Sequence, residues 1–237
     1  MKHKKFLPLF VILLTLGGCD DFFMICSLNP FYTENRIVLE PGVEGAWMAR
    51  PSRVANDSAQ TNSVIWDMID TTSTWTIKRF YGKWVVKNKA GIDSTTYKAE
   101  NYYLARLSRH SDSTSYEFKV VLFRVKNHLY ADFAPNNKDE LLKSKLASNS
   151  FLEMHTLAHV ELKDRQIKLS WLGADCMKEM IEKKRVRVNY HYVKEVKRLM
   201  LIASSEDLTT MIERYGEQPR FISWEAQQAK LELNRLN

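Results

Sequence analysis

His155 and His159 stand four residues apart, a spacing that could hold a metal. On a helix the two rings would share one face and one zinc ion, with a Glu beside the first His as general base. Position 156 is Thr, so that hydrolytic pattern is incomplete. On a strand, four residues at about 3.3 Å each separate the imidazoles by roughly 13 Å, too far for one ion. The flanking residues alternate as a strand does, which reads the pair as two histidines on a polar sheet face. Asp132, within Tyr130-Ala131-Asp132-Phe133, is the one acid flanked by apolar residues on both sides, and alternation makes it a solvent-facing strand residue. Gly-x-Ser-x-Gly, Ser-x-x-Lys, Cys-x-x-Cys and Gly-rich phosphate loops are all missing, and the whole chain has eight glycines. The expectation is no catalytic residue, no metal and no cofactor.

Cys19 carries different chemistry. Met1-Lys2-His3-Lys4-Lys5 is a basic start, Phe6 to Leu16 is apolar, and Leu16-Gly17-Gly18-Cys19 ends the run before acidic Asp20-Asp21. A charged head, a short apolar core and small residues before a cut form a secretory signal peptide. Its apolar core falls short of the about 20 residues a spanning helix needs. Leu16-Gly17-Gly18-Cys19 resembles the lipobox of bacterial envelope lipoproteins. That resemblance implies that Cys19 receives a diacylglyceryl thioether and becomes the acylated N-terminus, with enough acyl chains for stable anchoring. In enteric-type sorting, Asp after the lipidated Cys resembles an inner-membrane retention signal; in other bacterial groups, acids there resemble a surface-export signal. The outer membrane is the expected destination over the inner.

Export accounts for part of the positive charge. The signal holds three of the 35 Lys and Arg and none of the 28 acids, so the mature chain is 32 − 28 = +4 rather than +7. So small an excess leaves little to argue for a nucleic-acid partner, and none is expected. Residues 178–198 hold eight Lys or Arg against three Glu. The stretch reads as a solvated helix end and loop, or as a surface for anionic headgroups. With Cys19 lipidated, Cys26 and Cys176 remain, either as two thiols or as one disulfide.

The elements that position these residues are mainly strands. Two hairpins emerge from loop length and alternation: Thr74–Phe80 with Lys83–Asn88 around Tyr81-Gly82, and His155–Lys163 with Gln166–Trp171 around Asp164-Arg165. In the second, Leu162 faces Ile167 and Glu161 faces Lys168. Tyr97–Leu107 alternates, and Tyr116–Val125 with Leu129–Phe133 make another hairpin through Asn127-His128. Within it Val120-Val121-Leu122-Phe123 is apolar on both faces, as a covered strand would be. Arg36–Leu39, Gly45–Ala49, Ser63–Ile69 and Arg198–Ala203 bring the total to about ten strands, with residues 51–62 as a loop.

Helices are expected over Lys138–Ala147, over Cys176–Arg185 capped by Asp175, over 204–216 with a capping-box start at Ser204, and over Trp224–Leu236. The fold class is therefore mainly β (α+β), an antiparallel meander or barrel with several helices in the C-terminal half. The expected domains are 1–18, the signal; 19–35, the lipidated tether; 36–204, a β-rich domain with helical insertions; and 205–237, C-terminal helices packed on it.

Gly45-Ala46-Trp47 resembles the Gly-x-Trp opening of lipocalin-like barrels, which implies that Trp47 plugs the closed end; the family's later Thr-Asp-Tyr motif is absent. The chain as a whole resembles uncharacterised envelope lipoproteins with an early Gly-x-Trp and a β-rich middle. Three functions follow as expectations. The first is a non-enzymatic binding or accessory module anchored through Cys19 and contacting an envelope protein. The second is a carrier of a small hydrophobic ligand in a pocket of several hundred Å³ lined by Trp75, Tyr103 and Phe123. The third is a hydrolase. Tryptophans and tyrosines are read as core before they are read as a sugar or lipid site.

Overall fold

A computed structural model describes residues 24–51, 73–87, 93–109, 115–136, 154–193, 198–217 and 230–236. In chain order the strands are β1 (Cys26–Ser27), β2 (Gly45–Pro51), β3 (Thr74–Lys87), β4 (Asp93–Ser108), β5 (Ser115–Val125), β6 (His128–Pro135), β7 (His155–Lys163), β8 (Gln166–Trp171), β9 (Tyr190–Val193), β10 (Arg198–Leu201) and β11 (Lys230–Arg235). The helices are α1 (Ala174–Glu182) and α2 (Ser205–Tyr215), with 3-10 turns at Glu34–Arg36 and Pro41–Val43.

Strands β2 to β8 follow one another as antiparallel neighbours, and β11 enters between β8 and β2. The ring β2-β3-β4-β5-β6-β7-β8-β11 closes as an eight-stranded antiparallel barrel, so none of its strands is left as an edge. Between β8 and β11 the chain builds a second layer. β1 pairs antiparallel with β7, continues parallel to β10, and β9 is the outer strand of this extension.

Two cores result. The inner one fills the barrel with Trp47, Trp75, Tyr103, Phe133, Trp171 and Leu233. The outer one joins Phe123, Tyr130 and Leu157 on the outside of β5–β7 to Phe31, Met177 of α1 and Leu208 of α2. Strands β5 to β7 are thus buried on both faces because each face belongs to a different core, and in β5 both are apolar, as the Val120–Phe123 run implies.

The expected hairpin of β7 and β8 forms in the expected register, Leu162 opposite Ile167 and Glu161 opposite Lys168. The β5–β6 hairpin also forms, turning at Lys126-Asn127, one residue earlier than expected, with Lys126 at φ 51°. In α2 the Ser204 side chain accepts the Asp207 N–H, and Leu208, Met211 and Ile212 are buried.

Other expectations are corrected. Tyr81-Gly82 is not a turn. Neither residue takes the positive φ of a two-residue hairpin, and β3 runs straight through, paired with β4 and slipping register between Arg79 and Tyr81. Within Trp224–Leu236, Lys230–Arg235 is strand β11: Leu231 and Leu233 alternate into the inner core, and barrel closure outweighs local helix preference. Among the described residues there are two α-helices rather than several. Arg36–Leu39 is not a strand but a 3-10 turn followed by a single bridge from Ile37 to Phe123. The N-cap of α1 is Gly173 rather than Asp175. Residues 24–35, read as tether, are packed: Ile25, Cys26 and Phe31 are buried. The expected helix Lys138–Ala147 and strand Ser63–Ile69 lie outside the described residues.

Candidate functional site

Asp132 is not solvent-facing; it is 2% exposed on the outer face of β6. Alternation assigns the face correctly, but the second layer covers that face. Its Oδ2 accepts the Phe31 backbone N–H at 2.8 Å, and its Oδ1 lies 2.7 Å from His155 Nδ1, so the imidazole donates from Nδ1. The Thr209 hydroxyl lies 3.2 Å from the Phe31 carbonyl, and its one proton has a shorter acceptor in the Ser205 carbonyl at 2.7 Å. Hydrogen bonds thus join barrel strands β6 and β7 to the N-terminal segment, and Phe31 of that segment shares the outer core with Leu208 of α2. His155 is 6% exposed, not on an open polar face. Ser27 lies opposite His155 in the β1–β7 pairing, but its hydroxyl accepts the Asn29 N–H and it is fully buried. A carboxylate and an imidazole buried this deeply and hydrogen-bonded to each other hold the layers together.

The structure does not bring His155 and His159 together. His159 packs instead against His128 and Tyr130, each with ring centroids 5.5 Å away. Burial, reinforced by the positive field of His128, lowers the His159 pKa, while Glu161 opposes the shift. Burial, with Glu217 adding to it, raises the Tyr130 phenol, whose hydroxyl points at the Gly216 carbonyl 3.5 Å away. Among the described residues no group of three or more His, Cys, Asp or Glu converges on one point.

The barrel interior holds a cavity of about 30 Å³ lined by Trp75, Tyr103, Leu122, Phe133 and Leu169 among others. That is room for about one water, far from the several hundred Å³ of a drug-sized ligand site. Trp75 and Tyr103 do line it, but Phe123 points outward into the other core. Trp75 keeps a buried indole N–H without a hydrogen-bond partner. Trp47 is fully buried, and its indole N–H donates to the Val43 carbonyl at 3.0 Å. Arg235 lies 5.4 Å from the Trp47 ring and donates to the Glu44 carbonyl at 3.0 Å. Gly45, at φ +143°, sits under this guanidinium, in a backbone conformation that would strain any side chain.

The most solvent-accessible chemistry lies on the second layer. After α1 ends, Lys184 takes φ 54° and the chain runs through exposed Lys183, Lys184, Arg185 and Arg187 into β9, where Tyr190, His191 and Tyr192 are exposed too. Sequence reading assigned tyrosines to the core first; Tyr190 and Tyr192 are exposed because β9 is the outermost strand of its sheet. A cleft of about 460 Å³ beside them is lined by Ile181, Lys184, Arg187, Tyr190 and Asp207. Cys19 lies outside the described residues. Cys26 is buried in β1 and Cys176 is on α1; their sulfurs approach the Met24 carbonyl at 3.9 Å and the Met180 sulfur at 4.0 Å, and both are thiols.

The chain matches no family model, no curated protein and no solved structure.

Proposed function

We propose that this protein is an exported lipoprotein, held at an envelope membrane, the outer in preference to the inner, through acylated Cys19. Its barrel is a non-enzymatic binding or accessory module that works through its outer surface on an envelope protein. The observation that carries this reading is the filled interior: an eight-stranded barrel whose cavity is about 30 Å³ has its own side chains where cargo would sit. The buried Asp132–His155 pair supports it, since its hydrogen bonds are committed to holding the layers together.

A carrier of a small hydrophobic ligand is the second reading. The closed barrel is compatible with it, and the unpartnered Trp75 N–H is a donor that a ligand acceptor atom would satisfy. It requires the wall to swell. Native mass spectrometry of the detergent-extracted mature protein separates the two. The module reading expects a mass equal to the chain plus the lipids on Cys19. A co-purifying small mass, lost on denaturation, establishes the carrier, and a Cys19 without lipid refutes the anchor.

A further inference from the structure

We propose that the β9 edge is a membrane-apposed surface that binds anionic lipid headgroups while the acyl chains on Cys19 hold the protein in place. The inference rests on the lipoprotein reading and adds an orientation to it. Residues 183–192, Lys-Lys-Arg-Val-Arg-Val-Asn-Tyr-His-Tyr, contain four cations and no acid. Lys184, Arg185 and Arg187 are exposed, while Lys183 is spoken for by Glu179. Of the six exposed large apolar residues among the described ones, three, Tyr190, Tyr192 and Ile202, lie on β9 and at the end of β10. Ile202 is tied to this edge because its N–H donates to the Asn189 carbonyl at 2.9 Å. Tyrosines beside Lys and Arg suit a bilayer interface, where the phenol sits among headgroups and the cations meet phosphates.

The anchor's geometry supplies the second argument. Four residues lie between Cys19 and Met24, so their Cα atoms are at most about 18 Å apart. From there the chain enters β1, whose Cys26 pairs with Met200 of β10, so the tether begins two strands, or about 10 Å, from β9. A short tether emerging beside a cationic, tyrosine-bearing edge brings that edge to the membrane. The acidic residue lining the adjoining cleft is Asp207; the exposed cations Lys184, Arg185 and Arg187 outnumber it. Each cation near an anionic surface raises partitioning about fivefold.

The test uses the full acylated chain reconstituted in phosphatidylcholine vesicles with and without about 30% phosphatidylglycerol. The readouts are tryptic cleavage after Lys184 and Arg185 and amide exchange of residues 187–193. Both should slow about tenfold or more in the anionic vesicles, and the protection should vanish at about 0.5 M salt. The variant K184E/R185E/R187E, checked for an unchanged melting curve, should be cleaved at its remaining basic sites and exchange at the same rate in both vesicles. Equal rates for the natural chain in both vesicles overturn the proposal, as does protection that salt leaves intact. Protection confined to native envelopes and absent from anionic vesicles overturns it in favour of a protein partner. The mass of Cys19, measured separately, decides the anchor; if it is bare, co-sedimentation of the unacylated chain with the same vesicles still tests the surface.

Discussion

Replacing Asp132 by Ala strands two buried donors at once, the Phe31 N–H and His155 Nδ1, at the joint between barrel and second layer. Each orphaned donor costs about 1–3 kcal/mol, and breaking a buried hydrogen-bonded pair from one side costs about 3–5 kcal/mol, so we predict a loss of about 3–5 kcal/mol. Asp132→Asn keeps one acceptor for Phe31 and can face the other imidazole tautomer, so its loss should be nearer 1–2 kcal/mol, or about a third of the Ala effect. Urea unfolding followed by the fluorescence of Trp47, Trp75 and Trp171 reads this from the barrel core. With a slope of about 2–3 kcal/mol/M, Asp132→Ala should move the midpoint down by about 1–2.5 M. Adding His155→Ala to Asp132→Ala should cost less than it does in the natural chain, because the partner it would strand is already gone. A loss under about 1 kcal/mol for Asp132→Ala, with additive double-mutant energies, would refute the account of these hydrogen bonds as the fastening between layers.

Further outcomes follow from other sites. His159 has a folded pKa below its unfolded value of about 6.5, so stability is full above that pH and falls as pH drops from it toward the folded value. Midpoints measured between pH 7.5 and 5.5 (about one unit either side of that value) should fall on acidification, and His159→Phe should flatten that slope. Gly216→Ala should destabilise by about 1–3 kcal/mol in thermal melts, because the new Cβ would sit 2.5 Å from both the Tyr130 hydroxyl and the Ile212 carbonyl. Restoring space with Gly216→Ala/Tyr130→Phe should recover part of it. Cys19→Ser should shift the protein from membrane to aqueous fractions on cell fractionation; continued membrane retention in high salt would contradict acylation at that residue.

Alternation and loop length were enough to register β7 against β8 to the residue, because both strands keep strict polarity and the turn has two residues. The cap at Ser204 and the stripe Leu208, Met211 and Ile212 were equally readable, being local. Asp132 and His155 were not. Period-two patterning says which residues share a face, but whether water or protein lies against it depends on distant segments; Phe31 reaches Asp132 across 101 positions. The same limit applies to β11, six residues that become a strand because β8 and β2 offer it two edges. Tyr190 and Tyr192 fall in the stretch read as a solvated helix end and loop; they are exposed, but on strand β9, whose pairing with β10 no local pattern marks. The basic stretch around them was legible as charge, though not as a neighbour of β1.

The position of β11 sets the timetable of folding. Arg235 pairs with Trp47, so the ring cannot close until nearly the whole chain is available, and the pairing bridges almost the full length of the barrel sequence. Such long-range closure is slow, and until it happens β2 and β8 present unpaired edges open to other chains. A C-terminal deletion reaching Lys230 would leave those two edges permanently exposed, turning a closed barrel into an aggregation-prone open sheet.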